Sequence, residues 1–180
     1  MKQKQFYRFI LKDIKGQGVL FAPQGTDPRF GIEILPVMNF ENMVFALKGG
    51  IYLPFMNSNT TAIFANEELK NLIQETVTVD FPLEFYPIQA KSEEYGDKTY
   101  YLIHFKTISD IIDEKNSVWV ANSIAKPCID YDKAKDLDFF NSKARINGIM
   151  VSDKMKKLMQ KKKLDIGIEF LKVPVVNNNY

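Results

Sequence analysis

Two residue types that can together supply a nucleophile and its base occur once each in this sequence, as Cys128 and His104. A cysteine nucleophile needs an adjacent base, and histidine commonly serves. Neither residue stands in a catalytic signature, and His104 lies in a strand-like stretch, where an exposed or hydrogen-bonded histidine is the usual finding. A closed zinc site takes about four such ligands. We therefore predict no catalytic residue, no metal and no cofactor.

Four aspartates come close together in the second half of the chain: Asp130, Asp132, Asp136 and Asp138. Paired carboxylates can act as acid and base or bind Mg²⁺. A solvated acidic loop is the more common meaning of such a cluster. A third interpretation is an acidic face that mimics an anionic substrate and binds a basic protein.

A lysine-rich segment, "KMKKLMQKKK", runs from Lys154 to Lys163 and holds six lysines. Such a helix can contact phosphates, but a charge run is usually a solvated face. Single-strand binding surfaces interleave aromatic or arginine side chains, and this segment has none. With a net charge of +2, the chain gives no overall electrostatic case for nucleic acid, and we predict none as a partner.

The bulk composition predicts one compact unit over residues 1–180, since 46% of the residues are apolar and 13% aromatic. A single cysteine permits no internal disulfide, which favours a reducing compartment. No stretch approaches the roughly 18 apolar residues of a membrane helix, and the N-terminal residues lack the apolar core of a signal peptide. We expect a cytoplasmic protein that does not bind membranes.

Period-two alternation and turn residues predict many short strands, including one over residues 30–34 and a hairpin around Gly49 and Gly50. Two helices are predicted. The first spans Asn66 to Glu75 and the second Ser152 to Lys162, with Asn66 and Ser152 as N-caps. The sum is an α+β fold with a mostly antiparallel sheet and a few helices.

Two segments far apart in the chain resemble each other: "AIFANEELKNLIQETVTVDFPLEF" from Ala62 and "GIMVSDKMKKLMQKKKLDIGIEF" from Gly148. Upstream of each, "FYRFILKDI" from Phe6 resembles "YYLIHFKTI" from Tyr100, at a different offset. One interpretation is a duplication, with related strand–helix–strand halves at 1–92 and 97–176. The other is that any capped amphipathic helix feeding a strand looks like this.

Several short motifs in the second half are shared with one known family. Ile112, Asp113 and Ser117 form an "I-D-x-x-x-S" turn after a strand. A "D-x-F" element at 138–140 precedes a helix that begins "V-S" at Val151, and a "G-x-x-F" strand follows from Gly167 to Phe170. In this pattern, over residues 100–173, the chain resembles an immunity-protein family of bacterial polymorphic toxin systems, first catalogued as a domain of unknown function.

The resemblance implies a cytoplasmic protein that binds one cognate toxin and blocks it without catalysis. Tight interfaces of this kind use a few buried aromatic anchors and complementary charge. The partner-binding candidates are therefore the acidic residues Asp130, Asp132, Asp136 and Asp138, together with Trp119 as an anchor. For Trp119, a place in the core is the stronger expectation. The alternatives are a metal-dependent enzyme using the acidic cluster and a nucleic-acid binder using the lysine-rich helix.

Overall fold

The computed structural model describes residues 3–12, 14–32, 40, 43–77, 82–143 and 148–177. Within them the chain forms strands and short helices in the order that follows. The first half holds β1 (Phe6–Leu11), β2 (Val19–Phe21), β3 (Val44–Lys48), β4 (Phe55–Asn57), β5 (Ile63–Ala65), α1 (Glu67–Thr76) and β6 (Leu83–Lys91). The second holds β7 (Lys98–Phe105), β8 (Val118–Val120), β9 (Ser123–Lys126), β10 (Ile129–Asp130), α2 (Tyr131–Ala134), β11 (Phe139–Asn141), β12 (Ile149–Ser152), α3 (Asp153–Lys161), β13 (Ile168–Val173) and β14 (Val175–Val176).

The strands form two main sheets. The larger has the order β2-β3-β6-β7-β5-β4, and the smaller has the order β11-β12-β1-β13. Strands β3 and β6 are parallel, as is the short pair β10–β14, and every other pairing between these strands is antiparallel. Strands β8 and β9 form a separate hairpin. The predicted α+β class with a mostly antiparallel sheet is confirmed.

Both predicted helices begin at the predicted caps. The Asn66 side chain accepts the N–H of Leu69 at 2.9 Å, and Ser152 Oγ accepts the N–H of Met155 at 3.2 Å. Each cap satisfies a backbone donor that the first turn of a helix leaves without an internal partner. The buried stripe of each helix, which includes Leu69 in α1 and Met155 in α3, then faces the core.

Replacing either cap by alanine should lower stability, but not equally. We expect Asn66→Ala to cost about 1 kcal/mol, the usual value of an N-cap. Ser152→Ala should cost more, because Ser152 Oγ also donates to the buried carboxylate of Asp138. The measurement is the free energy of unfolding in urea. Equal losses would show that the Ser152–Asp138 bond contributes nothing beyond the cap.

The central core lies between the two sheets and contains both longer helices. Phe9 of the smaller sheet and Phe55 of the larger have ring centroids 4.5 Å apart, and Phe105 stacks on Phe139 at 5.9 Å. Helices α1 and α3 pack against each other in the same cluster. Two further clusters cover the outer faces, one around Phe45 and Phe64 and the other around Phe6 and Phe140.

The two strand–helix–strand units have the same connectivity. Strands β5 and β6 pair on opposite sides of β7, and β12 and β13 pair on opposite sides of β1. The edge strands β4 and β11 also correspond. The strand pairings also agree at positions that the alignment of the two sequence halves places together. The pair Phe64–Leu102 corresponds to Met150–Arg8, the pair Phe85–Ile103 to Phe170–Phe9, and the pair Phe55–Ala65 to Phe139–Val151. This is the arrangement that a duplication predicts.

The central strands are exchanged between the halves. Strand β1 belongs to the first half by sequence but lies in the sheet of the second, and β7 does the reverse. A matching side-chain contact accompanies each: Lys70 lies 4.1 Å from the ring of Tyr101, and Lys156 lies 4.0 Å from the ring of Tyr7. Each sheet therefore needs a strand from the other half.

Two local predictions are wrong. Residues 30–32 lie in a turn and its exit instead of a strand; residues 33 and 34 are outside the described residues. Strands β3 and β4 do not form a hairpin and lie in different parts of the sheet. The chain turns there to bond Ile51 N–H to the carbonyl of Gly16 at 2.8 Å. A Cβ on Gly50 would lie 2.0 Å from that oxygen, so the close approach requires glycine.

Candidate protein interface at the β8–β9 hairpin

The β8–β9 hairpin carries the most exposed run of apolar side chains in the described part of the chain. Val118 is 50% exposed, Trp119 42% and Val120 63%. The expectation that Trp119 lies in the core is therefore wrong. The run of three apolar residues indicated burial, but a two-stranded hairpin has only one covered face at most, and nothing described packs on these side chains from outside.

The base of the hairpin is fixed by polar contacts of the "I-D-x-x-x-S" motif. Ser117 Oγ donates to the carbonyl of Asp113 at 2.6 Å and accepts the N–H of Cys128 at 2.8 Å. The Asp113 N–H donates to the Cys128 carbonyl at 2.9 Å. The Asp113 carboxylate accepts the backbone N–H of Asn116 at 2.9 Å. These bonds tie the chain entering the hairpin to the chain leaving it.

Trp119 is oriented although it is exposed. Its indole N–H donates to the carbonyl of Glu114 at 3.2 Å. Its cross-strand partner is Ile124, which is buried in the outer core of the smaller sheet. The burial of Ile124 anchors the hairpin to the body of the protein. The tryptophan ring is therefore partly exposed to solvent, while its hydrogen bond to Glu114 restricts its rotamer.

A chain of ion pairs lies beside Trp119 and reaches helix α2. Lys143 pairs with Glu114 and lies 3.9 Å from Asp110, whose other oxygen is 2.9 Å from Lys133. The hydrogen bond from Lys133 lowers the pKa of Asp110 below its usual range. Exposed pairs contribute little to stability. They do give the apolar hairpin a polar border, which is the usual anatomy of a protein interface.

Three of the four predicted acidic residues lie on or beside α2. Asp130 caps this short helix, since its carboxylate accepts the N–H of Asp132 at 3.1 Å. Asp132 lies 3.8 Å from Lys135, and Asp136 is exposed just after the helix. Among the described residues no group of three or more His, Cys, Asp or Glu is arranged to hold a metal ion. These three aspartates lie in the segment that follows the hairpin.

Asp138 does not belong with the other three, and the expectation of a solvated position is wrong for it. It is 5% exposed and accepts a hydrogen bond from Ser152 Oγ, with the ammonium groups of Lys4 at 2.9 Å and Lys154 at 3.2 Å. Burial alone would raise its pKa, but Ser152 and the two lysines hold the pKa below its usual range. The carboxylate joins the N-terminal segment to the start of α3, so its role is structural.

The single histidine and the single cysteine are both buried, and their pKa shifts oppose activation. Burial lowers the pKa of His104, which favours the neutral ring, and among the described residues its Nδ1 atom has no hydrogen-bond partner. Burial raises the pKa of the Cys128 thiol, which disfavours the thiolate. His104 lies in β7 opposite Glu84, whereas Cys128 lies at the base of the hairpin. The sequence predicts an exposed or hydrogen-bonded strand histidine; His104 does lie in a strand, but it is buried instead of exposed.

The lysines of α3 have several structural contacts. Lys154 pairs with Asp138, Lys157 lies 3.5 Å from Asp153, and Lys156 covers the ring of Tyr7. Lys161 to Lys163 are exposed at the C-terminal end of the helix, where the helix dipole favours cations. This distribution is typical of a solvated helix face.

Neither family models nor curated proteins give a relative from which a site could be transferred. No family model matches this chain, and no curated protein matches it. In the part of the chain that the structure describes, no helix has the length and apolar character needed to cross a membrane. The hairpin is therefore the candidate interface on its own geometry.

Proposed function

We propose that this protein is a non-catalytic immunity protein that binds a cognate bacterial toxin in the cytoplasm and blocks it. One observation carries the proposal: an oriented, exposed tryptophan between two exposed valines, on a hairpin whose base is fixed. Large exposed apolar groups with a polar border are typical of protein interfaces. The resemblance of residues 100–173 to immunity proteins supplies the class of partner.

The charges near the hairpin support recognition of a basic partner. Of the acidic residues on the α2 side, Asp130 caps the helix and Asp132 lies 3.8 Å from Lys135, whereas Asp136 is exposed and forms no ion pair with the described lysines. Long-range attraction of this kind speeds association more than it tightens the final complex, and salt screens it. The acidic residues would steer the toxin, and the hairpin would hold it.

Co-expression tests the function directly. The probe is the protein encoded by the adjacent upstream reading frame, expressed in a bacterial host with and without this chain. We expect the chain to restore growth and to co-purify with the probe in a one-to-one ratio. Unchanged growth, together with no complex at micromolar concentration, would contradict the proposal.

A further inference from the structure

Strand β8 has a partner on one side only. The hairpin is a two-stranded sheet, and no third strand joins it within the described residues. In an antiparallel pair, alternate residues direct their N–H and C=O groups away from the partner strand. The outer edge of β8 therefore presents hydrogen-bonding groups that an extended backbone can satisfy.

The two edges of the hairpin differ in what they expose. Strand β9 ends in Lys126, and its Ile124 is buried against the body. Charged side chains, and lysine above all, are the usual protection of an edge strand against pairing. Strand β8 contains no charged residue and exposes three apolar side chains in a row. Its protection is its length of only three residues, together with a register shift between Val118 and Trp119.

The side chains of β8 specify the occupant further. Val118 and Val120 are two residues apart, so they lie on one face of the strand, with Trp119 on the other. An added strand would place its own side chains beside them at the same spacing of two residues. The favoured occupant is thus an extended segment with apolar residues at alternate positions.

We propose that the toxin supplies this segment and adds it as a third strand on the outer edge of β8, an inference that rests on the proposed function. Backbone hydrogen bonds would align the segment, and Val118 and Val120 would contact its alternate apolar side chains. Trp119 would pack on the opposite face, already oriented by its bond to Glu114. This is strand addition, one of the recurring modes of peptide recognition.

Hydrogen exchange of the full chain, followed by NMR with and without the inactivated upstream-encoded protein, tests this mode. We expect an outward-facing amide within Val118–Val120 to exchange about 100-fold more slowly in the complex, as in a strand that gains a ladder. The amides of edge strand β4, Phe55–Asn57, serve as the control, and their exchange rates should not change.

Val120→Lys should weaken binding about tenfold or more, whereas Val120→Thr, which keeps the branched shape, should not.

The possible results separate the mode from the function. A complex that forms while every β8 amide exchanges at its free rate would overturn strand addition and leave the immunity proposal standing. If exchange of the β8 amides slows as the concentration of this chain rises, without the probe protein, then a second copy of the chain pairs with this edge. That result would overturn the proposal that the toxin pairs there. Absence of any complex would overturn both proposals.

Discussion

We expect Trp119→Ala to weaken binding of the proposed toxin by about 100-fold and to leave folding stability nearly unchanged, the largest functional effect among these substitutions. Tryptophans at the centre of an interface are frequent hot spots, and truncating one typically costs about 2 kcal/mol or more of binding free energy. That cost corresponds to a rise in Kd of roughly 30-fold or more. Little stability should be lost, because the side chain is 42% exposed before any partner binds. The measurements are the Kd by calorimetry with the inactivated upstream-encoded protein and the free energy of unfolding in urea.

Leu171→Ala provides the matched control for Trp119→Ala. Leu171 is also 42% exposed, but it lies in β13 of the smaller sheet instead of the hairpin. Its replacement should leave the Kd within about threefold of the wild-type value, as expected for a surface residue outside the hot spot. Equal losses for both variants, or no loss for Trp119→Ala, would reject the hairpin as the interface.

The largest stability effect should come from Asp138→Asn, which we expect to lower the free energy of unfolding by about 3 kcal/mol. The change leaves Lys4 and Lys154 without their buried partner and weakens the bond that holds Ser152 Oγ. The cost should fall mainly on Lys4, whose side chain is 21% exposed and would lose its compensating charge without regaining full hydration, whereas Lys154 is 52% exposed. Urea unfolding at pH 7 measures the loss.

Asp136→Asn is the control for this prediction, because Asp136 is exposed two residues away. It should change stability by less than about 0.5 kcal/mol, as most surface substitutions do. Charge reversal at Asp136 is therefore a fair test of steering, whereas reversing Asp130 would also remove the cap of α2 and reversing Asp138 would test folding. Equal stability of the Asp138→Asn and wild-type proteins would contradict the buried network.

The effect of Asp138 should also depend on pH. Its pKa is held below the unfolded value, so the folded state favours the ionised carboxylate. The resulting stability is present above the unfolded pKa of about 4 and is lost as the pH falls through the folded pKa. The difference in unfolding free energy between wild type and Asp138→Asn should therefore shrink on acidification. A constant difference from pH 7 to pH 3 would contradict this assignment.

Features set by neighbours in sequence could be predicted from the sequence. Asn66 and Ser152 were identifiable as caps because a cap bonds a backbone group only three residues away. The strand–helix–strand pattern followed from periodicity, which is also local. A further signal was available in "FMNS" from Phe55 and "FFNS" from Phe139, which mark equivalent edge strands. It extends the internal similarity upstream of both helices.

Features set by contacts between distant parts of the chain could not be predicted from the sequence. Asp138 is buried where Lys4, from the other end of the sequence, and Lys154 meet it, and its neighbours in sequence carry no sign of such partners. Trp119 is exposed because its hairpin joins neither sheet, although "VWV" has the composition of a core strand. The exchange of β1 and β7 likewise depends on pairing between distant segments. Local hydrogen bonding and periodicity determined the elements of this protein, whereas burial, exposure and strand partners were decided by long-range packing, which a single sequence does not display.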